Sequence, residues 1–305
     1  MMRTALVAVL MAGLSSVVVS GTAHAQLSTV DCGPRGTVAR LETVLLTANQ
    51  SLLCYREGSA TVRNFGPVLG LATGESLVGI DYRPANGVLY GVGNLGGIYT
   101  VAAQGSTAIA TRVSGLVDMT TAAPVQLAGF SFGVDFNPVP DRLRIISNFG
   151  QNLRVNVDNG QTTTDGSLNI PTFPGVVALG SGAVAYTNND ASAATGTVLY
   201  SLNNGLNQLL IQAPPNAGTQ NPVGALNFDI DPATGFDIFS VVQNGTTQSV
   251  RGLASMVTTA MGGAVTTQIY SINLTTGAAT PAANGNFSNV GVVGLAIPLV
   301  QGTGN

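Results

Sequence analysis

The chain has 305 residues, of which 45% are hydrophobic and only 8% charged, with a formal net charge of −3. All 11 basic residues are arginine, lysine and tryptophan are absent, and the one histidine is His24. With no basic cluster to neutralise a run of phosphates, no nucleic-acid partner is expected.

The first 25 residues read as a secretory signal peptide: Arg3, an apolar run from Ala5 to Val19, and a small-residue close at Ala23-His24-Ala25, cut before Gln26. The run is too short and too weakly flanked for a membrane span, and no cysteine directly follows the cut to take a lipid. A periplasmic or extracellular protein without membrane insertion is therefore expected. Residues 26–41 form an N-terminal segment, 42–299 the folded domain and 300–305 a tail. Cys32 and Cys54 are the only cysteines, and in an oxidising compartment such a pair reads first as a disulfide, worth about 3 kcal/mol in the chain-entropy model. Two free buried thiols are the alternative.

Beyond Cys54 the chain is rich in Gly, Thr, Ser, Asn and Val, a mixture that suits strands and tight turns. Three segments share an aspartate in a short apolar strand that ends at a proline turn: Gly79-Ile80-Asp81-Tyr82-Arg83-Pro84, Gly133-Val134-Asp135-Phe136-Asn137-Pro138 and Asn227-Phe228-Asp229-Ile230-Asp231-Pro232. Val177-Ala178-Leu179 and Gly294-Leu295-Ala296-Ile297-Pro298 are copies with alanine in place of aspartate. A second series, read as third strands, comprises Leu53-Cys54-Tyr55, Ile98-Tyr99-Thr100-Val101, Leu153-Arg154-Val155-Asn156, Leu199-Tyr200-Ser201-Leu202 and Ile269-Tyr270-Ser271-Ile272.

The two series interleave at the period of propeller blades, so the expected fold is all-β, a β-propeller with five blades. The register of 225–266 is ambiguous, because Gly235-Phe236-Asp237-Ile238 also fits the first-strand pattern; six blades, an open solenoid or a two-sheet sandwich are the alternatives. The last first-strand copy has no second strand after it, whereas the chain opens with later strands, Val44–Leu46 and Leu52–Arg56. Pairing of the N- and C-terminal strands would close the ring and remove the sheet edges.

The segments Gly79–Tyr90, Phe132–Asn156 (with Asp141-Arg142 and Gly150-Gln151-Asn152-Leu153-Arg154), Ala185–Asn189 and Tyr270–Ala278 resemble the exported bacterial family catalogued as domain of unknown function 4394. The resemblance implies a propeller-like repeat domain outside the cytoplasm and brings no catalytic residues.

Motifs that suggest chemistry fail on context. Gly129-Phe130-Ser131-Phe132-Gly133 matches a nucleophile elbow, but no histidine or lysine is available as base. Gly91-Val92-Gly93-Asn94-Leu95-Gly96 matches a dinucleotide fingerprint, yet strand follows it where a helix is needed. Asp229, Asp231 and Asp237 lie close enough in sequence to suggest a Ca2+ loop without the spacing of one. Asp81, Asp135 and Asp229 are the sharper candidates, since equivalent positions on innermost strands could aim three carboxylates at the channel and hold a cation such as Ca2+. The plainer role is for each to cap its own proline turn, and the two alanine copies leave the charged ring incomplete. Arg83, Arg142, Arg144 and Arg154 could grip an anionic ligand or pair with aspartates such as Asp141 and Asp158. The expected function is a non-catalytic binding or structural module for a small ligand or protein; the alternative is a metal-dependent hydrolase of the lactonase-like propeller type.

Overall fold

The structure, a computed structural model, describes Cys32, residues 39–232 and residues 234–301. The expected leader over 1–25 and the last residues, 302–305, lie outside the described residues. Those described form 21 strands and one turn of 3-10 helix at Pro215–Ala217.

The strands follow one another as meanders. β1 (Glu42–Thr47), β2 (Ser51–Arg56) and β3 (Arg63–Leu69) pair antiparallel in order. β4 (Leu77–Tyr82), β5 (Leu89–Gly93), β6 (Gly97–Gln104) and β7 (Thr107–Gly115) make a four-stranded unit, and β8 (Val117–Asp118) is a short link. β9 (Phe132–Asn137), β10 (Arg142–Ser147), β11 (Asn152–Val155) and β12 (Gln161–Thr164) make the next, with β8 parallel to β12 at its outer edge. β13 (Ser181–Tyr186), β14 (Leu199–Asn203), β15 (Gln208–Gln212) and β16 (Gln220–Ala225) make a third. β17 (Thr234–Gln243), β18 (Thr246–Thr259), β19 (Val265–Ile272) and β20 (Ala279–Ser288) follow. β21 (Val292–Ala296) returns to pair antiparallel with β1, Val44 opposite Ala296 and Leu45 opposite Leu295. The N-terminal meander thus takes its innermost strand from the C-terminal end, and the ring closes by the expected pairing.

The innermost strands touch in a cycle, β21 to β4, β9, β13, β17 and back to β21. The apolar core is divided accordingly, one buried cluster at each joint, for example Ile80, Leu89 and Val101 with Val44, Leu46 and Ala296, or Phe236, Ile238 and Met256 with Ala185 and Leu202. The inner strands are covered by neighbours on both faces, which gives strands such as β1, β5 and β13 that are buried throughout. Turn residues set the strand ends: Asn244 (φ 52°) and Gly245 (φ 73°) close the β17–β18 hairpin, a pairing suited to a tight two-residue turn. The extra length read at 244–266 lies in that hairpin, whose strands run to 10 and 14 residues.

Two repeat copies need a new register. The third innermost strand carries Ala183-Val184-Ala185, whereas Val177-Ala178-Leu179 lies in the loop ahead of it with Val177 and Leu179 exposed. The fourth carries Gly235-Phe236-Asp237, and Asp229 lies in the connection before it. Correspondingly, Tyr200 sits on a second strand, β14, opposite Ala185; the other members of its series are on third strands. The physical reason is close approach at the axis. A Cβ at Gly133 would lie 2.6 Å from the Val184 nitrogen, and one at Gly235 2.7 Å from the Leu295 nitrogen. An innermost strand therefore wants glycine or alanine two residues ahead of the Asp/Ala position; Asn227 and Val176 occupy that place in the misplaced copies, and both are bulkier than that approach allows.

Cys32 and Cys54 are disulfide-bonded, with Cα atoms 5.5 Å apart, so Cys32 is tied to β2. No helix among the described residues is long and apolar enough to cross a membrane.

Candidate functional site

The repeat places Asp81 on β4, Asp135 on β9 and Asp237 on β17, all buried, with one carboxylate oxygen of each within 4.8 Å of the others. Asp229 is not among them: it is exposed and accepts a hydrogen bond from Asn207 Nδ2 at 2.7 Å. Asp237 takes the place that the sequence pattern assigned to Asp229. The suggested Ca2+ loop is likewise dispersed, since Asp231 accepts from Thr259 Oγ1 while Asp237 faces the axis.

Each carboxylate does one thing in common. Asp81 Oδ2 accepts from the backbone N–H of Phe136 at 2.7 Å, Asp135 Oδ1 from that of Tyr186 at 3.1 Å, and Asp237 Oδ2 from that of Ile297 at 2.6 Å. In every case the donor is the residue following the equivalent position on the next innermost strand around the ring. Two positions, Ala185 and Ala296, have no carboxylate to offer the next amide. There the amide turns to its own neighbour: Ile238 N–H donates to Asp237 Oδ1 at 2.5 Å and Tyr82 N–H to Asp81 Oδ1 at 2.7 Å. Three carboxylates thus satisfy all five amides at this level, which would otherwise be buried donors without partners. The carboxylates thus accept from innermost-strand amides, three on the neighbouring unit and two on their own, and not from the amides of a proline turn.

Electrostatics make this arrangement costly in fully ionised form. At 4.8 Å and an effective dielectric near 20, two like charges repel by about 3.5 kcal/mol. Burial, then the Asp237 charge, holds the Asp81 carboxyl well above the usual range; burial, then Asp81 and Asp237, does the same to Asp135. Burial raises Asp237 to about 6, and its two amide donors moderate the rise. The donor set fits a resident divalent ion poorly. A hard cation asks for six or more oxygens, whereas five of the six here already accept amide bonds.

Immediately ahead of the cluster the axis is nearly solid. Innermost-strand residues around Gly79, Gly133, Ala183, Gly235 and Gly294 enclose a space of about 10 Å3, one water at most. No ligand can thread that level of the channel.

The arginines are spent on internal pairs. Arg83 holds Asp141 and Asp158 through both edges of its guanidinium, at 2.6 and 2.7 Å. Arg144 and Arg154 share Asp165, and Arg144 also reaches Asn152 and Asn216. Arg142 donates to the carbonyls of Pro140 and Asp141. Ser131 donates to the Pro232 carbonyl at 2.5 Å, and Gly91–Gly96 forms the end of β5 and its turn into β6.

What the sequence reading missed is a surface. The turns from second to third strand lie at the end of the propeller where innermost strands begin, and four of the five carry an exposed large apolar side chain: Leu95, Phe149, Leu206 and Met261. The segments entering β9 and β13 add Phe130, Phe173, Val176, Val177 and Leu179, also exposed. Phe130 and Phe149 meet edge to face, centroids 5.5 Å apart. Beside them, Phe173, Val176, Val177, Leu179 and Leu206 line a groove of about 240 Å3. At the opposite end the exposed apolar residues are smaller: Val139 and Val198 in turns from first to second strand, and Val242 near the end of β17. A one-letter signal existed: an apolar residue within a Gly/Asn turn, repeated from unit to unit.

No curated protein matches the chain. Among solved structures it is similar to a structural-genomics protein of unknown function from Bacteroides thetaiotaomicron VPI-5482, at 13% identity, 87% coverage of this chain and a TM-score of 0.39; it spans 61% of that protein's length. It is also similar to YCF48 bound to D1 peptide, at 11% identity, 86% of this chain, 73% of that one and a TM-score of 0.36. The Dos1 propeller follows at 12% identity, 78% of this chain, 54% of that one and a TM-score of 0.34. None of these likenesses carries an argument about function. A family profile described as Domain of unknown function (DUF4394) matches residues 52–296, nearly all of the strand-forming chain, and the chain belongs to that family.

Proposed function

We propose that the protein is an exported, non-catalytic binding module whose partner docks on the end of the propeller bearing the second-to-third strand turns. The observation that carries this reading is the one-sided band of exposed apolar side chains, in which Phe149 is 54% and Phe173 59% exposed. Scattered single apolar residues are ordinary on a surface, whereas a contiguous group with a groove marks an interaction site. The Cys32–Cys54 bond supports an oxidising compartment. The hydrolase alternative gains nothing from the geometry: the one group of three or more acidic or metal-binding side chains among the described residues is occupied with backbone amides.

The test is a photo-crosslinking amino acid placed at Phe149 and, as control, at Val139 on the opposite end, in the cells that make the protein. An adduct at Phe149 that is absent at Val139 and lost on Phe173→Ser supports the reading. Equal adducts at both ends, or none, would sink it. Determining the N-terminus of the mature protein in the same preparations checks export, with Gln26 expected first.

A further inference from the structure

We propose that Asp81, Asp135 and Asp237 form a proton-sharing lock on the propeller ring, closed most firmly in acid and loosened as the medium becomes alkaline. The geometry assigns the proton. Asp81 and Asp237 each accept a backbone N–H on both oxygens, so both are served best as carboxylates. Asp135 accepts on Oδ1 alone, which makes its Oδ2 the position free to carry a proton, and one carboxylate oxygen of each partner lies within 4.8 Å of one of its own. The three side chains bridge the joints β4–β9, β9–β13 and β17–β21, so the charge state at the centre acts on three of the five joints of the ring.

The groups around the lock offer no other neutralisation. In the ladders Asp81 stands opposite Tyr90, which takes up Arg83; Asp135 stands opposite Arg144, whose guanidinium is given to Asp165; Asp237 stands opposite Leu253. β13 brings Ala185 and Tyr186 to this level and β14 Tyr200; β21 ends in Ala296. Burial raises all three carboxyls, Asp237 to about 6, and the charges of neighbouring aspartates add to burial at Asp81 and Asp135, which lie well above the usual range. A group whose folded pKa is raised binds more protons folded than unfolded. Its contribution is complete below the unfolded value near 4 and is lost as pH rises through the folded values.

The experiment is thermal melting of chelator-treated protein between about pH 5 and pH 8, for the native chain, Asp135→Asn and Asp135→Ala. Asn keeps the acceptor for Tyr186 N–H, and its Nδ2–H supplies permanently the donor that the proton supplies in acid. The native protein should melt lower at the alkaline end. Asp135→Asn should flatten that slope and melt above the native protein there, by about 2 °C or more. Asp135→Ala should melt below the native protein in acid, because Tyr186 N–H loses its acceptor. A native slope shared unchanged by Asp135→Asn would overturn the lock. So would added Ca2+ that raises the native melting point at about pH 8 and leaves Asp135→Asn unmoved, since a cation would then hold the cluster. Should Asp135→Asn not fold, a carbon-13 carboxyl titration of the native protein decides: an aspartate titrating above about pH 6 supports the lock, and all aspartates titrating near 4 refute it.

Discussion

At the scale of single residues, the three axial aspartates are chemically alike and should respond differently to the same change. Asp237 accepts two amides, from Ile238 and Ile297, on separate oxygens. Asparagine can replace one acceptor but presents an amino group to the other N–H, so Asp237→Asn should destabilise by about 2 kcal/mol, the cost of a buried donor left unmade. Asp135→Asn replaces an acceptor that uses only one oxygen and should cost far less; denaturant titration of both variants at one pH checks the order. Gly133→Ala sets a Cβ against the backbone of β13, 2.6 Å from Val184 N and 2.8 Å from the Ala183 carbonyl carbon. The main chain cannot step aside as a flexible side chain would, so a loss of about 1–3 kcal/mol is expected in the same titration. Asp81 and Asp135 were legible in the sequence because strand, aspartate and proline turn coincide. Asp237 was legible only as the alternative register Gly235-Phe236-Asp237-Ile238, because Asp229-Ile230-Asp231-Pro232 offers a better letter match a few residues earlier. The distinguishing feature is Gly235, whose importance comes from the approach of β21, a strand nearly sixty residues away.

Among the elements, β21 matters most for its length. Its Val292, Leu295 and Ala296 are buried between β1 and β17, and without it Leu45 and Leu46 of β1 would face solvent along an open edge. Truncation before Val292 should therefore give a protein that aggregates or unfolds without cooperativity. A melt matching the full-length chain would contradict the closure. The second-to-third strand turns are the opposite case. Phe149→Ser lies on an exposed turn and should change stability by no more than about 0.5 kcal/mol in a denaturant titration. The third-strand series was readable in four units, three of them carrying a tyrosine, Tyr55, Tyr99 and Tyr270. It failed in the β13–β16 unit, because Tyr200 serves a second strand and pairs with Ala185 as Tyr90 pairs with Asp81.

For the whole molecule, closure comes from several devices acting together: the β1–β21 pairing, five interfacial cores, three carboxylate bridges and the Cys32–Cys54 bond. The disulfide should contribute about 3 kcal/mol by restricting the unfolded chain, so reduction should lower the melting temperature by about 6 °C. No change on reduction would show that the bond does not constrain the unfolded state. The sequence by itself determined the all-β class, the repeat, the shared blade made from both ends and the cysteine pair. These follow from local composition, turn chemistry and spacing, which act within a strand or its nearest turn. Only the tertiary structure decided which aspartates meet, that they hold the neighbouring unit's amides, and that apolar turn residues gather at one end. Each of these depends on strands far apart in sequence converging on one axis, where the room left between backbones, too small for a Cβ at Gly133 or Gly235, selects the register that a period of letters leaves open.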